Sequence, residues 1–201
     1  MHGITIAKSR LAAKVQCRLT SFRTTWNGDN ASLFALLSAS RNSLKSISML
    51  ESIDPEAFSR VDLAEFLVTV SPTLTDLTLI ECDKAISDPN YIEKFLPDLP
   101  LLTTLILGST GYTPSLFHAL KDCPSIQHIT IELTRQFAPP SNGLWCLSEY
   151  LKSGNSKGLK TFRIVPEPNA KVLMGNGSVW KLDRAAERGG IKLLLPSGWR
   201  I

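Results

Sequence analysis

Apolar side chains recur along this chain in a triplet of fixed spacing, L-x-x-L-x-L. The copies are Leu19-Phe22-Thr24 (degenerate), Leu44-Ile47-Met49, Leu74-Leu77-Leu79, Leu102-Leu105-Leu107, Ile126-Ile129-Ile131 and Leu159-Phe162-Ile164. A broken seventh begins at Ile191, and successive starts are 25, 30, 28, 24, 33 and 32 residues apart. A unit of that length buries its apolar face only by stacking on its neighbours, so the period predicts a solenoid.

Within a unit the last two apolar positions stand two residues apart, which is strand spacing. In the third copy Leu77 and Leu79 point to one face while Asp76, Thr78 and Ile80 point to the other. Successive parallel strands need a crossover, and the segment after each strand supplies one. Asp88-Pro89 reads as an N-cap followed by proline in the first helical turn, ahead of a stripe of Ile92, Phe95, Leu96 and Leu99. Asp54-Pro55 opens a helix carrying Leu63, Phe66, Leu67 and Val70, and Thr113-Pro114 one carrying Leu116, Leu120 and Cys123. Two later helices are expected near Leu144–Leu151 and Val179–Ala186, the second stopped by Gly189-Gly190. The alternation predicts an α/β solenoid of six to seven irregular repeats, with residues 1–18 as lead-in and 19–201 as the repeat domain.

A further regularity lies eight residues after each start, where Asn27, Ser52, Cys82, Thr110 and Thr134 stand before Glu167 breaks the series. A turn after each strand leaves backbone groups pointing inward, and a short polar side chain can satisfy them.

Composition is compatible with one packed domain: 43% of the 201 residues are hydrophobic and 20% charged. The net charge of +4 is scattered, so it says little about nucleic acid. Four cysteines (Cys17, Cys82, Cys123, Cys146) show no CxxC pairing or metal spacing. Two fall on the repeat pattern and read as small buried hydrophobes in a reducing compartment, which places the chain in the cytoplasm or nucleus. No apolar run reaches the length of a membrane span. The acid-free first 28 residues have the composition of a transit peptide, but Leu19 and Phe22 already fit the repeat.

Leu74 through Cys82 matches, position by position, the leucine-rich repeat unit L-x-x-L-x-L-x-x-N/C-x-L. The phrases SPTLTDLTLIECD and KDCPSIQHITIEL resemble the irregular repeats of fungal F-box leucine-rich repeat proteins. That resemblance covers residues 19–201. It implies a curved parallel sheet on the concave face, helices on the convex face, and a non-catalytic module that holds the substrate of a ubiquitin ligase. In that family an F-box upstream of the repeats docks the Skp adaptor. Residues 1–40 lack the leucine-proline opening of an F-box, so the Skp partner depends on an upstream segment.

Such a module would bind protein through the concave residues between its core positions. The candidates are Arg23, Ser48, Thr78, Ile106, Thr130 and Arg163, then Leu50 and Ile80, then Trp26, Glu51 and Glu81, with His128 also facing that side. Trp26, Leu50 and Ile80 would form an apolar patch flanked by Glu51 and Glu81, a protein-binding arrangement unless they tuck under the strand-end loops. The alternative function is binding of nucleic acid or another anionic surface through Arg18, Arg23 and Arg163.

Catalytic chemistry finds no support. Gly108-Ser109-Thr110-Gly111 follows a strand but lacks a P-loop lysine and the third glycine of a dinucleotide fingerprint. Gly175-Asn176-Gly177 is also incomplete. His2, His118 and His128 have no nucleophile and acid at triad spacing. No metal or cofactor is expected, nor an enzymatic activity.

Overall fold

The computed structural model describes residues 18–26, 37–52, 67–70, 72–80, 93, 95–108, 113–133, 141–154, 158–166 and 176–195. Each apolar triplet ends in a strand: β1 (Ser21–Trp26), β2 (Ser46–Ser52), β3 (Asp76–Ile80), β4 (Thr104–Gly108), β5 (His128–Leu133), β6 (Thr161–Pro166) and β7 (Lys192–Leu194). They form one seven-stranded sheet in chain order. Every neighbouring pair is parallel.

The register aligns the triplets. Phe22, Ile47, Leu77, Leu105, Ile129, Phe162 and Leu193 stand opposite one another from strand to strand, as do Met49, Leu79, Leu107, Ile131 and Ile164. From Ile47 to Phe162 the first row is fully buried. These side chains share one core with the buried residues of three helices, α1 (Pro114–Ala119), α2 (Ser141–Lys152) and α3 (Asn176–Gly189). The helices therefore cover one face of the sheet. The core is continuous from Leu37 to Ile191 because each strand adds two apolar residues to the same layer.

Local chemistry explains the helices. Thr113 caps α1 by accepting a hydrogen bond from the Leu116 N–H at 3.3 Å, and Pro114 occupies the first turn where its missing donor costs nothing. α1 leads into a tight turn at Leu120–Asp122, whose last residues deliver Cys123 to the core. α3 ends at Gly190, whose φ of +67° is the left-handed stop that glycine makes without strain. The helix openings expected at Asp54-Pro55 and Asp88-Pro89 lie outside the described residues. Leu67 and Val70 are buried at the helical residues 67–70, and Phe95, Leu96 and Leu99 are buried around the 3-10 turn Leu96–Asp98.

The polar series eight residues after each start lies outside the described residues at Asn27, Cys82, Thr110, Thr134 and Glu167. Ser52 closes β2, with only its backbone described. A different ladder joins the units at the other end of the strands. There one carbonyl accepts two successive N–H groups from the next unit. Thr20 O takes Lys45 and Ser46 at 2.8 and 3.1 Å, Lys45 O takes Thr75 and Asp76 at 2.8 and 3.0 Å, and Thr75 O takes Thr103 and Thr104 at 2.8 and 3.0 Å. Thr103 O then takes Gln127 and His128 at 2.9 and 3.0 Å, and Gln127 O takes Lys160 and Thr161 at 2.8 and 3.0 Å. Because the acceptors are main-chain atoms, the side chain at each step is free to be Thr, Lys or Gln.

Hydroxyls reinforce the ladder just before the first apolar position. Ser43 donates to Leu19 O at 2.9 Å, Ser125 donates to Pro100 O at 2.6 Å, and Thr73 shares its hydrogen between Leu44 O and Arg41 O at 2.8 and 2.9 Å. Gly158 holds the same place before Leu159.

Candidate functional site

With one face of the sheet under helices, the residues of opposite parity make up the other face. Its first tier runs Ser21, Ser46, Asp76, Thr104, His128, Thr161 and Lys192 across the strands. Its second runs Arg23, Ser48, Thr78, Ile106, Thr130, Arg163 and Leu194. A third sets Leu50 opposite Ile80, and Gly108 opposite Glu132 and then Val165. Arg23, His128, Arg163 and Lys192 are exposed, while Ser48, Thr78, Ile106 and Thr130 are half-buried.

Neighbouring strands stand about 4.8 Å apart and same-face residues about 6.6 Å apart along a strand, so each tier is a close-spaced row. The face is rich in hydroxyls, with Leu50, Ile80, Ile106, Val165 and Leu194 as its apolar part. Gly108 interrupts the third tier and separates the Leu50–Ile80 pair from Glu132 and Val165. Side-chain hydrogen bonds also lie in the face. The Thr75 hydroxyl donates to Asp76 Oδ2 at 2.6 Å, and His128 Nδ1 lies 3.2 Å from Thr161 Oγ1.

The structure brings together most of the expected face and shifts one pairing: Trp26, expected in the row of Glu51, stands one residue further along β2. The register shifts between Thr24 and Trp26, so that the Trp26 Cα pairs with Ser52. Three residues of β2 span there what two of β1 span, an irregularity of bulge type that a regular strand alternation cannot anticipate. Glu51 lies within β2, with only its backbone described, and Glu81 lies outside the described residues. Arg23 and Arg163 share a tier but stand five strands apart, roughly 24 Å at ordinary strand spacing. They do not form one basic patch.

Lys192 belongs to this face and escaped the sequence pattern. Its unit is one residue short: Leu193, two residues after Ile191, aligns with Phe162, three residues after Leu159. Aligning the broken seventh copy on Leu193 rather than Ile191 would have placed Lys192 beside Thr161.

The helical side offers a groove of about 340 Å³ between α1 and α2. Phe117 and Tyr150 line it with their rings 5.9 Å apart, and Lys121, His118, Cys146 and Glu149 stand around it. Burial raises the Cys146 thiol above its ordinary range, so it is not an activated nucleophile. Nearby, Cys123 donates to Leu96 O and Ala119 O at 3.3 Å, and burial followed by the Asp122 charge pushes its thiol up to about 12. That is a structural cysteine. Among the described residues no three His, Cys, Asp or Glu side chains gather in a metal-binding group. No helix there is long and apolar enough to cross a membrane.

No protein-family model matches the chain, and no curated protein does.

Proposed function

We propose that this chain is a leucine-rich repeat module that binds a protein ligand on the open, concave face of its sheet and catalyses no reaction. The observation that carries the reading is the sheet itself. Seven strands follow chain order, one face is committed to a continuous core, and the other presents short polar side chains around Leu50, Ile80 and Ile106. A partner that covers those apolar residues removes them from water, and the row of hydroxyls around them supplies hydrogen bonds at regular spacing.

On the resemblance to F-box leucine-rich repeat proteins, the module holds the target of a ubiquitin ligase, and an upstream F-box would dock the Skp adaptor. A cytoplasmic or nuclear location goes with that role. Nucleic acid is the weaker reading, because the net charge is only +4 and Arg23 and Arg163 stand at opposite ends of the face instead of forming one basic patch.

The test is capture of proteins from cell extract by the immobilised chain and by an Ile80→Ser/Ile106→Ser variant. The reading expects partners retained by the parent and lost from the variant, with salt dependence that is mild. Tighter binding of single-stranded RNA that weakens steeply with salt would contradict it.

A further inference from the structure

We infer that the β5–β7 end of the open face is an anion site, taking a carboxylate or phosphoryl side chain of a peptide ligand, and that it centres on Thr161. This rests on the protein-recognition reading and specifies the chemistry of the partner. The register places His128 and Lys192 directly opposite Thr161 on the two neighbouring strands. Arg163 lies two residues along β6, on the same face. Ordinary sheet geometry sets all three backbones within about 7 Å of Thr161. The residues that carry a hydroxyl, an imidazole, a guanidinium and an ammonium thus stand within one small area of the face.

These cations are not used by the fold. Among the described residues no carboxylate pairs with Arg163 or Lys192. Both are exposed, as is His128, which already touches Thr161 Oγ1 at 3.2 Å and so holds that hydroxyl in place. Of the acids of the face, Asp76 is three strands from Thr161 and is engaged by Thr75, while Glu132 is the diagonal neighbour of Arg163 on β5 and forms no ion pair with it. Arg163 contributes a planar donor pair suited to a two-oxygen anion, and Lys192 a mobile point charge. At the opposite end the face offers Leu50 and Ile80. The ligand is accordingly a segment with an anionic side chain at one end and apolar side chains about four strands away, near Leu50 and Ile80.

The site is tested on the full chain by following amide resonances during addition of inorganic phosphate. Short peptides carrying phosphothreonine, aspartate or plain threonine at one position then give affinities. The expected result is saturable shifts confined to His128, Thr161, Arg163 and Lys192, and a preference for the anionic peptides over the threonine peptide. Arg163→Gln/Lys192→Gln should weaken the anionic peptides by about tenfold or more while leaving the amide spectrum of a folded protein. Equal affinity in parent and variant, or shifts spread over the surface, overturns the site. A uridine oligomer that outcompetes every peptide also overturns it. Partners lost from Ile80→Ser/Ile106→Ser but retained by the charge variant leave the recognition module standing and remove the anion site. Partners insensitive to both variants remove both.

Discussion

A Cβ placed on Gly158 would stand 2.6 Å from the carbonyl oxygen of Pro124, one unit earlier in the chain, and 3.2 Å from that of Ile126. Ser43, Thr73 and Ser125 hold the corresponding place in their units and use a hydroxyl to reach a carbonyl of the unit before. At Gly158 the two backbones approach until no side chain fits. The close approach lies three residues before Thr161, which the register places beside His128. Gly158→Ala should cost about 1–3 kcal/mol, measured by urea unfolding, because the atom it meets is backbone and cannot rotate away. An effect near zero would mean that the units stand further apart.

Thr73 makes the complementary case. Its hydroxyl lies 2.8 Å from Leu44 O and 2.9 Å from Arg41 O, joining the third unit to the second. Thr73→Val keeps the shape and removes the donor, with an expected loss of about 1 kcal/mol. Thr78→Val, on the open face of β3, should change unfolding free energy by no more than about 0.5 kcal/mol.

Ser148 is buried in α2 and its hydroxyl has no hydrogen-bond partner. Ser148→Ala removes an unsatisfied polar group and adds helix propensity, so the variant should be more stable by about 0.5–1 kcal/mol. A destabilised Ser148→Ala would mean that this hydroxyl is bonded in solution.

Alkaline pH should loosen the core through two acids held neutral within it. Burial, then Asp122, pushes Cys123 from 9.0 up to about 12, and burial, then Cys123, pushes Tyr150 from 10.0 up to about 12. The unfolded chain ionises at the lower values while the folded chain keeps its protons. Stability is therefore full below pH 9.0 and declines as pH rises toward about 12. Urea midpoints across that range should fall in the parent. The decline should be shallower in Cys123→Ala, whose stability at neutral pH is also lower. A decline of equal steepness in both would assign the effect to other groups.

The sheet was legible because the triplets encode it twice. Their internal spacing fixes which residues of a strand face the core, and their recurrence fixes which strands stack. Ile47, Leu77, Leu105, Ile129 and Phe162 stand opposite one another as that pattern requires. The helix at Thr113-Pro114 was legible from its cap, and the stop of α3 from Gly190. Other features leave no side-chain signature. The ladder at the strand starts runs through main-chain carbonyls, so Thr20, Lys45, Gln127 and Lys160 look unrelated. The pairing of Trp26 with Ser52 leaves no sequence signal, because a register irregularity carries no compositional mark here. Lys192 was missed because its unit is one residue short, and the grouping of His128, Thr161 and Lys192 exists only once three distant segments are in register.

The most direct test compares two adjacent residues of β4 that point to opposite faces. Leu105 is fully buried in the shared core, and Ile106 is half-buried on the open face. Unfolding free energies of Leu105→Ala and Ile106→Ala, measured in the same denaturant series, should differ sharply. Leu105→Ala is expected to lose about 2–5 kcal/mol through a cavity, and Ile106→Ala about 1 kcal/mol or less. Equal losses would contradict the account, because Ile106 would then be part of a second core and unavailable to a ligand.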